Sequence, residues 1–216
     1  MSMKYGEIIR DVKTRRMEDA VTCAAEMYLK NGISDTKMTD IADACQLGVA
    51  SLYRYFGTKQ AFTIKAACHI WQQQYAKINQ LRREEDFQSE TGIRQVQRLM
   101  DIFPALLREH SPFLRFLSDF DAFVTRERLT HEDLLEYENS VMNVLSMMES
   151  TIEKGIQDGT IRPGVDAKLY ETTVGHSLMS MCQKFSRGKV LSSDDPAMNL
   201  RELDAAIEMY LAYIRT

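Results

Sequence analysis

Residues 49–55 of the chain combine small, hydroxyl-bearing and cationic side chains within two turns of a predicted helix. The small side chains at its start would let the backbone approach the edges of DNA bases, and the hydroxyls and the cation further along suit phosphate oxygens. With the short helix before it, this segment predicts a helix-turn-helix, although two helices packed in a bundle would fit the spacing equally well. The residues of this helix that we predict to contact DNA are Val49, Ala50, Ser51, Tyr53, Arg54 and Tyr55.

Side chains on either side of this helix extend the predicted contact with DNA. Thr36, Lys37 and Thr39 belong to the start of the preceding short helix, and Lys59 begins the helix that follows. A lysine at a helix N-terminus adds a cation where the helix dipole already favours an anion, so Lys59 is a predicted phosphate contact. The basic run 13–16 is a weaker candidate, because a solvated helix end explains it better.

The residue patterns of the familiar catalytic and metal sites are absent from the sequence. The four histidines are far apart, and none has a carboxylate or a second histidine three or four positions further on. There is no serine-nucleophile elbow, Walker loop or dinucleotide-binding glycine motif. We therefore predict a protein that is not an enzyme and that uses no cofactor and no metal.

The four cysteines, Cys23, Cys45, Cys68 and Cys182, contain no C-x-x-C pair and stand among helix-forming residues. This distribution predicts buried or half-buried thiols in a reducing compartment rather than a disulfide framework. A redox-sensing role is an alternative that the sequence leaves open.

Charge is divided unevenly along the 216 residues, whose formal net charge is −4. Residues 1–65 carry ten Lys and Arg against eight Asp and Glu, a net of +2, and the remainder carries 17 against 23, a net of −6. A mildly basic head on an acidic body permits contact with nucleic acid at one end. No apolar run is long enough to span a membrane, and the first residues lack a signal peptide's apolar segment, which predicts a cytoplasmic protein with no membrane partner.

Hydrophobic periodicity and capping residues predict an all-α fold with nine helices and no convincing strand. Pro104 should kink the helix that contains it, because proline lacks an N–H group and clashes with the preceding turn. The polar stretch 83–90 predicts a loop. The predicted helices span about residues 8–31, 36–45, 49–55, 59–82, 91–109, 113–127, 131–157, 166–187 and 196–216.

Capping residues mark several of the predicted helix starts. Thr36 and Thr58 are predicted N-caps of the helices that begin beside them, and Asp166 is the predicted cap of a later one. Thr130 and Asp133 have the spacing of a capping box. These caps predict where the chain enters each helix.

The sequence around the predicted helix-turn-helix resembles the signature of the TetR/AcrR family of transcriptional regulators. The run 32–42 reads G-I-S-D-T-K-M-T-D-I-A, and the run 52–59 reads L-Y-R-Y-F-G-T-K. In that family a glycine ends the first helix, a threonine-rich cap precedes Ile-Ala, and a Leu-Tyr-x-Tyr-Phe-x-x-Lys run closes the recognition helix. The match covers about residues 15–65 without a gap.

Three positions depart from the family pattern. Gln46 stands in the turn where the family usually has glycine, Gly48 stands where it has a serine or threonine cap, and Ala50 stands where it has a second glycine. A glutamine in a left-handed turn costs on the order of 1 kcal/mol, whereas glycine can itself serve as an N-cap. These departures weaken the assignment of base contacts to the first turn of the recognition helix.

The resemblance implies a regulator, in most cases a repressor, that binds a palindromic operator in double-stranded DNA as a homodimer and releases it when a small molecule binds. It also implies a DNA-binding domain at residues 1–60 and an effector-binding and dimerisation domain at residues 61–216. In such proteins the last two helices typically pair with those of the partner. The interface residues predicted here are Val174, Leu178, Met181, Leu203, Ile207, Tyr210, Leu211 and Ile214.

Five of the nine phenylalanines lie between Phe103 and Phe123, beside the kink expected at Pro104. A pocket of such residues would favour a small apolar or aromatic effector, oriented by one or two polar groups. An ordinary hydrophobic core is the more common meaning of such a stripe, and the sequence does not separate the two. The candidate pocket residues are Met100, Phe103, Phe116, Phe120, Tyr137, Met148 and His176.

Two other functions stay open at the level of sequence. A helical enzyme or binding protein could carry an incidental likeness to a helix-turn-helix, although no acid–base or metal constellation supports it. A regulator that activates transcription, or that acts without a ligand, would have the same sequence features as a repressor.

Overall fold

The computed structural model describes residues 5–145 and 148–216. The predicted all-α class is confirmed, and the extended pairing found among the described residues is one isolated antiparallel bridge between Ile161 and Arg215. No described helix combines the length and the apolar character needed to cross a membrane. The helices are α1 (Tyr5–Asn31), α2 (Met38–Ala44), α3 (Val49–Phe56), α4 (Lys59–Arg83), α5 (Glu85–Ser89), α6 (Gly92–Met100), α7 (Ile102–Glu109), α8 (Ser111–Glu127), α9 (His131–Leu145), α10 (Glu149–Gln157), α11 (Ala167–Ser186) and α12 (Asn199–Ile214).

The chain folds as two compact units. The first unit contains the chain up to Gln73 together with Asp119–Glu138, and the second contains Gln74–Ser118 and Asn139–Thr216. The predicted boundary between residues 60 and 61 concerns function, whereas these two units are defined by packing. The boundary therefore stays a prediction.

The first unit is organised around α1 and α4, whose facing sides are buried. Tyr28 on α1 and Phe62 on α4 are almost fully buried, and the Tyr28 hydroxyl lies 3.0 Å from that of Thr63. Gly32 ends α1 with a φ of 84°, as the sequence predicts for a glycine in that place. A Cβ there would lie 2.6 Å from a carboxylate oxygen of the exposed Asp119 side chain, which can move aside, so the backbone conformation is what requires glycine.

The described residues form twelve helices where nine were predicted, because three segments differ from their predicted form. The predicted helix 91–109 breaks at Asp101, one turn before Pro104, since the proline has no N–H group for the carbonyl four residues back. The predicted helix 131–157 is described as α9 and α10, with residues 146 and 147 outside the described ranges. The stretch 83–90, predicted as a loop, contains the short helix α5.

Several helix starts are capped where the sequence predicts. The Thr58 hydroxyl accepts the backbone N–H three residues further on at 3.0 Å, and the Asp166 carboxylate does the same at 2.9 Å. Asp133 accepts the N–H of Thr130 at 2.8 Å, and the Thr130 hydroxyl accepts the N–H of Asp133 at 3.3 Å, which completes the predicted capping box. Local sequence therefore determines where α4, α9 and α11 begin.

In the second unit α6 and α10 cross with their backbones in contact. A Cβ at Gly92 would overlap the backbone of Gly155. The Asp158 carboxylate accepts the N–H of Gly92 at 2.7 Å and fixes the start of α6. The buried carboxylate of Glu171, whose pKa is raised by burial, accepts the N–H of Met148 at 2.8 Å just before α10. These polar contacts hold the crossing in place.

Candidate nucleic-acid interface

The turn between α2 and α3 has the backbone geometry that the sequence predicts. Gln46 has a φ of 54°, a left-handed conformation in which a glycine would be unstrained. The Leu47 N–H donates to the Ala42 carbonyl at 2.8 Å and closes the turn. Gly48 is extended, with φ −74° and ψ 140°, and serves as the N-cap, so α3 begins at Val49 as predicted.

The segment before α2 is held by polar contacts within the chain. The prediction that Thr36 caps α2 is wrong, because the N-cap is Lys37, whose N–H donates to the Asp40 carboxylate at 3.0 Å. The Thr36 side chain is instead fully buried, and its hydroxyl donates to the Gly32 carbonyl at 2.7 Å. The Lys59 ammonium donates to the carbonyl of Thr36 at 3.1 Å and ties the start of α4 to this segment.

Helix α3 has one buried side and one exposed side. Leu52 is completely buried, and the ring of Phe56 lies 4.3 Å from that of Phe62 on α4, measured between centroids. The opposite side faces solvent, and the Tyr53 side chain on it is 45% exposed. Of the predicted contacts on α3, Ala50, Tyr53 and Arg54 are exposed, and Val49, Ser51 and Tyr55 are half-buried.

Cations from two helices surround the ring of Tyr55. The Arg54 guanidinium lies 5.4 Å from the ring centroid, and the Lys13 ammonium of α1 lies 5.7 Å from it. Hydrogen bonding from Arg54, assisted by Arg16, lowers the pKa of the Tyr55 phenol. The sequence favours a solvated helix end for the run 13–16, but the i, i+3 spacing of Lys13 and Arg16 indicates that both share one side of α1.

The other predicted phosphate contacts lie at the two ends of the helix-turn-helix. Lys37 and Thr39 are exposed, and the Thr39 hydroxyl donates to Asp40 at 3.3 Å. The half-buried ammonium of Lys59 has three N–H groups, and its bond to the Thr36 carbonyl uses one of them. Their contact with DNA stays a prediction, and Thr36 would contribute to it only by holding Lys59.

The predicted effector residues are divided between the two units. Phe120 and Tyr137 lie in the first unit, with ring centroids 4.3 Å apart, and the Trp71 indole donates to the Tyr137 hydroxyl at 3.0 Å. Burial raises the pKa of Tyr137. In the second unit Met100, Phe116 and Met148 are buried, Phe103 is half-buried and His176 is exposed. The effector pocket stays a prediction.

A separate groove of about 400 Å³ lies in the second unit, between the end of α11 and the start of α12. None of its lining residues belongs to the predicted effector set. Within the part of the chain that the structure describes, no group of three or more His, Cys, Asp or Glu could hold a metal ion. The groove is lined by Lys184, Phe185, Gly188, Ser193, Asp194, Asp195, Pro196, Met198, Asn199 and Glu202.

Most of the residues predicted for the dimer interface are buried within their own chain. Val174, Leu178, Leu203, Ile207, Leu211 and Ile214 are all buried, and Met181 and Tyr210 are half-buried. The same two helices expose other apolar side chains: Leu169 is 65% exposed, Met209 67% and Tyr213 62%. Pairing of these helices with a partner stays a prediction, and the exposed residues are the ones available for it.

Residues 21–66 match the family described as Bacterial regulatory proteins, tetR family. No curated relative matches the chain. In fold, the chain is similar to a protein of Mesorhizobium loti assigned to the TetR family of transcriptional regulators, with 17% identity, a TM-score of 0.72 and coverage of 94% of this chain and 98% of that one.

Two further structures of similar fold contain ligands. The transcriptional regulator FadR from Bacillus subtilis, in complex with stearoyl-CoA, is 16% identical with a TM-score of 0.64, over 90% of this chain and 97% of that one. A protein of Saccharomonospora viridis described as a transcriptional regulator, in complex with choline, is 16% identical with a TM-score of 0.66, over 96% and 99%. At these identities the likeness shows the fold alone.

Proposed function

We propose that this chain, which belongs to the tetR family of bacterial regulatory proteins through residues 21–66, is a repressor that binds a palindromic operator as a dimer and releases it when a small molecule binds. The family is one of transcriptional regulators. Membership of the family does not by itself include repression, a palindromic operator, a dimer or release by a ligand, and these four features are what we propose. The protein would act on DNA in the cytoplasm.

The exposed side of α3 is the observation that carries this proposal. Leu52 packs on the buried side of α3, and Tyr53 and Arg54 lie on its exposed side. Lys13 and Arg16 of α1 lie close by, at the Tyr55 side chain. Cations and hydroxyls at the edge of a recognition helix suit phosphates on both sides of a major groove. We propose that Lys13 and Arg16 add phosphate contacts to those predicted from the sequence.

Dimerisation would give the two-fold symmetry that a palindromic operator requires. We propose that α11 and α12 meet their partners through Leu169, Met209 and Tyr213. The Tyr213 ring stacks on that of Tyr170 at 6.2 Å and lies under the Arg162 guanidinium at 4.4 Å, so this exposed aromatic is held in a fixed position. A large aromatic held in this way makes a good anchor for an interface.

For the effector we propose a chemical class and no particular compound. Stearoyl-CoA and choline, bound by two structures of similar fold, have little chemistry in common, so neither is carried over to this chain. The sequence carries the proposal of a small apolar or aromatic ligand, and the burial of Met100 and Phe116 fits an ordinary core equally well.

Arg54→Ala tests the proposed DNA interface. We expect the affinity for a labelled duplex from the promoter region beside the gene to fall by about 1–3 kcal/mol, measured by fluorescence anisotropy at fixed salt. Arg108→Ala removes an exposed arginine from α7 and is the matched control, with no expected change. Equal affinity of both variants and the parent protein would exclude α3 as the recognition helix.

A further inference from the structure

We propose that the loop between α11 and α12 is an exchange site between two copies of this chain, in which the tip of each loop, residues 187–191, occupies the groove of the other copy. The inference deepens the proposed dimer and rests on it, because the loop joins the two helices of the proposed dimer interface. It adds a surface that the proposed contacts at Leu169, Met209 and Tyr213 do not include.

The tip presents two successive apolar side chains to solvent. Val190 is 66% exposed and Leu191 is 59% exposed. Single apolar residues are common on protein surfaces, but two in succession on one turn form a patch that a partner can cover. Burial of this patch would remove apolar surface from water, which favours association.

Hydrogen bonds hold the tip in a fixed shape. The Asp194 carboxylate accepts the N–H of Leu191 at 2.8 Å and that of Val190 at 3.1 Å, and these bonds lower its pKa, so the carboxylate is ionised at neutral pH. The Asp194 N–H donates in turn to the Leu191 carbonyl at 3.0 Å. A tip that is already ordered loses little conformational entropy when a partner binds it.

The groove has room for such a tip and cannot receive its own. Its volume of about 400 Å³ lies in the range of sites that accept a ligand, and Phe185 and Met198 give it apolar surface. Val190 and Leu191 are not among the residues that line it, and the turn closed by Asp194 holds them in place. The tip of a second copy is therefore the occupant that matches the groove.

Charge complementarity supports a second copy as the occupant. Arg187 and Lys189 give the tip a net charge of +2. One lysine and three carboxylates among the lining residues give the groove a net charge of −2. Opposite charges favour contact of the tip with the groove and disfavour contact of one tip with the other.

One carboxylate of the groove is available to pair with the tip. The Asp194 carboxylate is engaged by the turn, and that of Asp195 accepts the Ala197 N–H at 3.0 Å. Glu202 is exposed, and within the described part of the chain no group donates a hydrogen bond to its carboxylate. The exchange site therefore pairs Lys189 of one copy with Glu202 of the other.

The exchange also fixes the direction of the two copies. One two-fold axis forms both tip–groove contacts at once, because each copy contributes the same pair of surfaces. The loop follows α11, whose 20 residues separate it from Leu169 by about 30 Å. The two loops can meet only if α11 and α12 of both copies run in the same direction, along the axis.

A photo-crosslink tests the exchange directly. Benzoylphenylalanine replaces Leu191 in the full-length protein, which is then mixed with an equal amount of unmodified protein labelled with nitrogen-15. After irradiation and tryptic digestion, tandem mass spectrometry should place the link within residues 195–202 of the labelled copy, in peptide 190–201 or 202–215. Links confined to the same chain, to the other tip or to residues outside the groove overturn the exchange site.

A reversal of charge tests the pairing of Lys189 with Glu202. Lys189→Glu and Glu202→Lys should each raise the dimer dissociation constant about tenfold in sedimentation velocity, and the double variant should return it to near the parent value, because opposite charges then face each other again. Lys30→Glu, at an exposed lysine of α1, is the control and should leave the constant unchanged. Additive weakening in the double variant overturns this pair.

The outcomes separate this inference from the proposed function. A parent protein that dimerises without a link from tip to groove contradicts the exchange site and leaves the dimer proposed through Met209 and Tyr213. A linked dimer that does not bind the promoter duplex contradicts only the proposed function. A parent protein that stays monomeric at micromolar concentration contradicts the exchange site and the proposed dimer together.

Discussion

Helices α3 and α12 each bury one side in their own unit and turn the other to solvent, but the two exposed sides differ in chemistry. On α3 the exposed residues include Tyr53 and Arg54, whereas α12 exposes Met209 and Tyr213 together with the carboxylate of Glu208. A side with cations and hydroxyls suits a polyanion, and an apolar side flanked by carboxylates suits another protein surface and repels DNA. The two exposed sides therefore differ in the kind of surface that each one suits.

The largest effect should come from the side of α11 that faces its own unit. Leu178 is completely buried, so Leu178→Asp should lower the free energy of unfolding by about 3–5 kcal/mol, because a carboxylate would be buried without a partner. Denaturant unfolding followed by circular dichroism measures this. Leu135→Asp, at a 46% exposed leucine of α9 outside the proposed interface, is the control and should leave stability nearly unchanged. If the Leu178→Asp variant instead kept normal stability but no longer formed the dimer, Leu178 would belong to the interface.

The next effect tests the exposed side of α12. Met209→Asp should raise the dimer dissociation constant on the order of 100-fold, or about 2.7 kcal/mol, because a carboxylate would replace apolar contact at the interface centre. Sedimentation velocity over a concentration series measures it. Leu135→Asp changes a 46% exposed leucine of α9 and should leave the constant as it is. A Met209→Asp dimer as tight as the parent would place the interface elsewhere.

A smaller effect concerns the phosphate contacts beside α3. Lys59→Ala should weaken binding to all duplexes alike and reduce the slope of log affinity against log salt by about one unit, since one cation leaves the interface. Lys30→Ala, an exposed lysine in the last turn of α1, should change neither. Weaker binding with an unchanged slope would limit Lys59 to holding the carbonyl of Thr36.

The smallest effect concerns the turn that sets α3. Gln46→Gly should raise the free energy of unfolding by about 0.5 kcal/mol, because relief of the left-handed strain exceeds the added freedom of the unfolded chain. Arg128 has the same φ of 54°, so Arg128→Gly should give a similar gain in thermal unfolding. A loss of stability in Gln46→Gly alone would show that the glutamine side chain contributes contacts of its own.

What the sequence predicted correctly is mostly local. Gly48 as N-cap, the cap at Thr58 and the capping box of Thr130 follow from backbone requirements that a few neighbouring residues impose. The tetR-family resemblance is confirmed over residues 21–66 for the same reason, since its signature describes one compact motif.

What the sequence could not predict depends on residues far apart in the chain. Apolar periodicity shows that Leu178 and Ile207 are covered, but it does not say whether their own chain or a partner covers them, and the structure buries both in their own chain. The approach of Lys13 to Tyr55 likewise arises only when α1 packs beside the helix-turn-helix.

The glycine crossing of α6 and α10 limits how the second unit can move. With no side chain between Gly92 and Gly155, there is no rotamer change that would let one helix slide past the other in small steps. Movement in this unit should therefore carry both helices together as one lever, with the bending taken up at joints such as Asp101, where α6 ends and α7 begins.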